Sequence, residues 1–198
     1  MKEYVVKKIS GKPNWQDIET IDIGIRYLDT KDNVTAEAKF CYDDEAIYVR
    51  LSTTEPETRS KEVGPTCEPC RDSCLEFFFS PMENDIRYFN LEFNSRGAFY
   101  FGIGSSLKTL VRLLVNPQIF SYRIYRRNDG WSITYRVPHE LVRRFFPEYT
   151  VTSGKRMRAN CYKCSDFAKE PNYLSWNLVE GKTLSFHRPE QFGLFIFE

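Results

Sequence analysis

Apolar and polar side chains alternate along residues 75–79 and again along residues 89–93, and this alternation is the clearest structural signal in the chain. With a period of two, Leu75, Phe77 and Phe79 share one face of a strand, and Phe89, Leu91 and Phe93 share one face of the next. The opposite faces carry Glu76 on the first strand and Tyr88, Asn90, Glu92 and Asn94 on the second. One face is built to pack, while the other offers carboxylates, amides and a phenol at strand spacing. That polar face reads either as the solvated side of an antiparallel hairpin or as a surface for a polyhydroxylated ligand.

The same pattern recurs elsewhere. Residues 34–42 and 46–51 flank the turn Asp43-Asp44-Glu45 and read as a second hairpin. Residues 119–127 and 131–137 flank Asn128-Asp129-Gly130, with Trp131, Ile133, Tyr135 and Val137 expected to face inward. Pro138 opens a short helix that Pro147 stops. Strands resume at 156–164 and 192–197. Regularly spaced strands with one short helix predict an all-β fold, an antiparallel β-sandwich of jelly-roll type with immunoglobulin-like layers. Neither a repeat nor a linker divides the sequence, so residues 1–198 are expected to form a single domain.

Composition narrows the partners. The 28 Lys and Arg residues are balanced by 27 Asp and Glu, a net charge of +1, which leaves no cationic excess for a nucleic acid. Residues 1–9 are too charged for a signal peptide, and no apolar run reaches the roughly 18 residues of a membrane span. No membrane partner is expected. The location reads as cytoplasmic, or secreted if a leader was removed. Aromatic residues make up 16% of the chain, suiting strand cores and sugar-stacking platforms alike.

Candidate chemistry is sparse. Cys67, Cys70, Cys161 and Cys164 have a spacing that could hold zinc, but Cys161 and Cys164 lie three apart in a strand and so point to opposite faces. Free thiols and no metal are therefore expected; a zinc-stapled interaction module is the alternative. His139 is expected on the solvent side of the helix. His187, in a loop before the last strand, is either structural or at the border of a ligand pocket. Glu76 and Glu92 are a carboxylate pair of the type that glycosidases use, giving a glycoside-processing enzyme as another alternative. Trp176 sits near amides and a cation and is either a stacking platform or a core residue; Trp131 and Trp15 are read as core.

Taken in order, Tyr42 to Val49, Asp72 to Phe78, Tyr88 to Asn94 with Gly97, Gly130 to Ile133, Arg158 to Tyr162 and Pro189 to Gly193 resemble the family 9-like carbohydrate-binding modules, a branch of the DOMON-type sandwiches. The resemblance implies a non-catalytic sugar-binding β-sandwich, with a mono- or oligosaccharide as ligand and a glycoside hydrolase as a partner. In the xylan- and cellulose-directed members two Trp rings sandwich a sugar, and some members carry calcium. Glu76 matches the acidic residue, Arg96 or Arg87 supplies the cation, Asn160 or Asn172 the amide, and Trp176 the later Trp. The earlier Trp has no counterpart, because Cys67 to Arg71 occupy its place. The expected site is thus Glu76, Tyr88, Asn94, Arg96, Asn160, Lys163 and Trp176. The haem-binding relatives need an axial Met and His; nothing groups Met82, Met157 and His187, so no haem or other cofactor is expected.

Overall fold

The computed structural model describes residues 1–30 and 33–198. Its strands are β1 (Glu3–Lys8), β2 (Ile21–Asp22), β3 (Ile25–Arg26), β4 (Thr35–Tyr42), β5 (Ala46–Thr54), β6 (Cys74–Ser80), β7 (Tyr88–Asn94), β8 (Phe99–Gly104), β9 (Val111–Arg112), β10 (Arg123–Arg127), β11 (Gly130–Pro138), β12 (Arg156–Ser165), β13 (Asn172–Ser175) and β14 (Gly193–Phe197). The one α-helix described, α1, covers His139–Arg143. Among the described residues no helix is long and apolar enough to cross a membrane.

Two layers result. One sheet runs β1-β14-β12-β6-β7-β8-β9, with β13 on the far half of β12; the other runs β10-β11-β5-β4, with β2 beside β4. Strand β1 belongs to both. Its residues Glu3 to Val6 pair in parallel with β14, and Lys7 and Lys8 pair in parallel with β4. All other pairings described are antiparallel.

The inward faces carry the core. Phe77 of β6 meets Phe40 of β4 at 4.7 Å between ring centroids, stacks on Phe79 at 4.8 Å and lies 6.0 Å from Phe195 of β14. Trp131, Ile133, Tyr135 and Val137 of β11 are all buried, as their alternation predicts. A charged network is enclosed with them. Lys163 on β12 pairs with Glu55 at 3.2 Å and donates to Asn172 Oδ1 and the Cys164 carbonyl, each at 3.0 Å, so all three ammonium protons have acceptors. Ser73 donates to the Glu55 carboxylate and accepts from Trp131 Nε1 at 2.8 Å.

Three expectations change. Residues 119–120 belong to a 3-10 turn, Pro117–Phe120, because Pro117 and the Asn116 side chain, which accepts from the Gln118 amide, favour a helical turn. The helix is shorter than its prolines suggest, because Pro138 still pairs with Ala46 in β11. His139 is buried rather than solvent-facing, with its ring nitrogens 3.0 Å from the Asp43 carbonyl and 3.1 Å from Tyr149 Oη.

Truncating Phe77 to Ala should lower the unfolding free energy by about 3–5 kcal/mol, the cost of an unfilled core cavity. Glu55→Ala should cost a comparable ~3–5 kcal/mol, because it leaves the Lys163 ammonium buried without its counter-charge. Urea denaturation measures both, and a loss under ~1 kcal/mol at either position would contradict the packing described.

Candidate functional site

The largest departure from the sequence reading is at the hairpin itself. Every residue of β6 and β7 is buried, including those on the polar face, so the half-solvated hairpin is replaced by strands covered on both sides. The cover comes from loops: the 3-10 turn Pro69–Arg71, the segment after β12 and the segment before β14. Phe186 from the last of these stacks on Tyr162 of β12 at 4.1 Å, and Tyr162 in turn meets Phe78 edge-on at 4.9 Å.

Between this cover and the sheet lies a cavity of about 460 Å³. Glu76 of β6 and Glu92 of β7 form its floor; they are directly opposed across the two strands. Cys70, Cys164, Asp166 and Tyr173 line one side, Phe186 and His187 another, and the exposed leucines Leu28, Leu107 and Leu184 stand at the rim. The space is acidic below and apolar above.

Burial dominates the electrostatics. Desolvation pushes Glu76 well above the ordinary carboxylate range, and the neighbouring Glu92 adds to the shift. Glu92 is pushed up to about 7 by desolvation, opposed by a 2.8 Å hydrogen bond from Asn90 Nδ2. Desolvation also raises Asp166. Glu76 Oε1 accepts from Cys164 Sγ at 2.8 Å. Burial lowers His187 to about 4, so its ring is neutral at pH 7. Tyr88 Oη lies 2.8 Å from His187 Nδ1; with the phenol donating, the imidazole carries its proton on Nε2. The site therefore offers carboxyl oxygens, a phenol and a ring N–H beside apolar walls, the mixed character of a sugar ring with its hydroxyl edge and C–H faces.

The residues expected from the sequence divide. Glu76 lies in the cavity floor, and Tyr88 touches the cavity through His187. Asn94 shares their face, but its amide is spent on structure: Nδ2 donates to Asp72 and the Glu62 carbonyl, and Oδ1 accepts from the Arg96 and Ala98 amides. Arg96 is exposed and borders a different opening, with Val63 and Leu113. Asn160 binds the Asn177 backbone in both directions, locking the chain after β13. Lys163 points to the other side of β12, into the ion pair with Glu55, because it is one residue out of step with Tyr162 and Cys164. Trp176 is corrected to a core residue: 5% exposed, it lies edge-on to Phe195 at 5.5 Å and fills the space above Gly193. Of the alternates, Arg87 is exposed and pairs with Asp85, and Asn172 accepts from Lys163. Trp131 is core as expected, whereas Trp15 is half-buried. The expected site did not include Tyr173, Asp166 and Phe186: Tyr173 is set opposite Cys164 by the short strand β13, and Asp166 and Phe186 come from loops whose path no local pattern encodes.

The four thiols of the zinc expectation do not converge. Cys161 faces the core opposite Phe77, and Cys67 Sγ lies against the Phe99 carbonyl at 3.9 Å. Among the described residues, the one grouping of three or more His, Cys, Asp or Glu ligand atoms is Cys74, Glu76 and Cys164. Two thiols and one carboxyl do not fit calcium, which takes six to eight oxygens.

A mixed apolar and acidic cavity over one sheet of a β-sandwich has the character of a small-molecule site. The sequence profile of carbohydrate-binding family 9 matches residues 11–197, and the chain belongs to that family. Carbohydrate binding is the role this membership gives it. A crystal structure from Bacteroides uniformis ATCC 8492, provisionally described as a carbohydrate-binding protein, superposes with a TM-score of 0.81 at 23% identity, covering 100% of this chain and 99% of that one. A family 9 module from Caldicellulosiruptor kristjanssonii is similar in its cellotriose complex (TM-score 0.72, 14% identity, covering 100% and 94%) and in its glucose complex (0.71, 15%, covering 100% and 96%). No curated protein sequence matches the chain.

The raised carboxyls set a pH dependence. Glu92 binds its proton more tightly folded than unfolded, so its contribution to stability is complete below about pH 4.5 and is lost as pH rises through about 7. The span corresponds to a loss on the order of 3 kcal/mol. Glu92→Gln should flatten the decline in urea midpoint between pH 5 and pH 8; an unchanged slope would show that Glu92 titrates normally.

Proposed function

We propose that the cavity over Glu76 and Glu92 is the carbohydrate site of this domain. The observation that carries the reading is the opposed pair of desolvated carboxyls beneath aromatic and leucine walls. Sugar hydroxyls donate to Glu92 and Glu76, and His187 Nε2–H donates to a ring or hydroxyl oxygen. Tyr173 and Phe186 contact the C–H face in place of an indole pair. The volume lies within the roughly 300–1,000 Å³ of small-molecule sites. It suits one or two sugar units entering from the leucine rim, more than a long chain lying across an open sheet.

Glucose and cellotriose, the ligands of the Caldicellulosiruptor complexes, are the first candidates, in line with a glucose-type pyranose. The domain would act beside a glycoside hydrolase, concentrating sugar ends without cleaving them.

Calorimetric titration with glucose, cello- and xylo-oligosaccharides should detect binding. At pH 8, above the Glu92 titration near 7, Glu92→Ala should weaken it about 10- to 100-fold, the worth of a hydrogen bond to a charged acceptor. Tyr173→Ala should weaken it as well, whereas Trp176→Phe should leave it within about threefold, since that ring lies in the core. Absence of binding across the panel, or full binding by Glu92→Ala, would refute this location. Sugar released on incubation with the same oligosaccharides would instead give the carboxyls an acid–base role.

A further inference from the structure

Beside Glu76, the cavity floor holds two thiols that the proposed sugar binding does not use. Cys74 and Cys164 are direct partners across β6 and β12, on the same face as Glu76. One ligand atom from each of the three lies within 4.8 Å of the others. All three side chains are buried, at 0%, 2% and 3% exposure. Glu76 and Cys164 line the cavity, so the grouping is reached from it.

From this juxtaposition we propose that Cys74, Glu76 and Cys164 form a site for a thiophilic divalent cation of the zinc class. Two thiolates and a carboxylate are a donor set that zinc takes up readily and calcium or magnesium does not. At a zinc–sulfur distance of about 2.3 Å, two thiolates on a tetrahedral ion lie about 3.8 Å apart, within the 4.8 Å that bounds the three ligand atoms. Strand register supplies the preorganisation: Cys74 and Cys164 are held opposite each other by the ladder, and Glu76 is two residues along from Cys74. The fourth position is left for an oxygen from the cavity. Cys70 and Asp166, also in the wall, are joined by a hydrogen bond and stand beside the ligand set.

The proton balance is explicit. A thiol is protonated at neutral pH, and zinc takes it as the thiolate. Binding therefore exchanges one divalent cation for up to three protons, one from each ligand, with no change of oxidation state. Affinity must fall as pH falls, because protons compete for all three groups.

The test needs no sugar, so its outcome is independent of the carbohydrate reading. The reduced full chain is titrated with Co²⁺, and thiolate-to-cobalt charge transfer and the visible bands of tetrahedral cobalt are recorded; Zn²⁺ is then added. The expected result is one equivalent of cobalt with both signatures, displaced by zinc, with proton release measured in weak buffer. Cys164→Ser and Cys74→Ser should abolish the charge-transfer band. Glu76→Gln should retain it with weaker binding, and Cys67→Ser should behave as wild type. If the cysteine variants do not fold, the wild-type titration still decides: no charge-transfer band on reduced, folded protein overturns the proposal. Loss of the band in Cys67→Ser with retention in Cys164→Ser would equally overturn it.

Discussion

The structure turns on a sheet that is covered on both sides although one of its faces is polar. Phe77, Phe79, Phe89, Leu91 and Phe93 pack inward in the ordinary way. The opposite side chains, Cys74, Glu76, Asn90, Glu92, Asn94, Asn160 and Cys164, are buried beneath loops, and each polar group there needs a partner other than bulk water. Asn94 and Asn160 find theirs in loop backbone, which fixes the cover in place. Glu76 and Glu92 are only partly satisfied by Cys164 and Asn90, and they face the cavity left under the cover. What remains under the cover is the pair of carboxyls on which the proposed sugar site rests.

The two faces of β12 show how a single register decides chemistry. Lys163 and Cys164 are adjacent in sequence, yet one completes a buried ion pair with Glu55 in the core and the other donates to Glu76 in the cavity. A slip by one residue would exchange these roles and bury a thiol against Glu55. The Lys163–Glu55–Ser73–Trp131 chain holds the register by giving the ammonium a full set of acceptors at one place only. Side chains outside the cavity thereby set what the cavity contains.

Much of the fold could be read from alternation and turn chemistry. The β4–β5, β6–β7 and β10–β11 hairpins follow from period-two patterns around polar or Asn-Asp-Gly turns, and the inward set on β11 is as the pattern gives it. What alternation could not supply is which polar face would be covered, since that depends on loops packing from 90 to 100 residues away, as His187 does on Tyr88. Glu76 was legible because it interrupts an aromatic run. Lys163, Asn94 and Trp176 read as ligand-facing because their types suit sugars, whereas their positions serve the core or the loops. The family resemblance carried the architecture correctly but could not carry the indole pair, since Cys67 to Arg71 stand where the earlier Trp would be and Trp176 is in the core.

Strand β1 has a kinetic consequence. It pairs in parallel with β14, some 190 residues away, and also with β4, so the seam between the layers joins segments that are remote along the chain. Such a seam cannot form early. Local hairpins such as β4–β5 and β10–β11 can assemble on their own, but closing the sandwich must wait for a long-range search with a large loop-closure entropy. Pairings this remote raise the contact order, the quantity with which folding slows across small proteins. Until β14 docks, the edge of β12 that receives it stays open to other strands, so the protein is most exposed to misassociation late in folding.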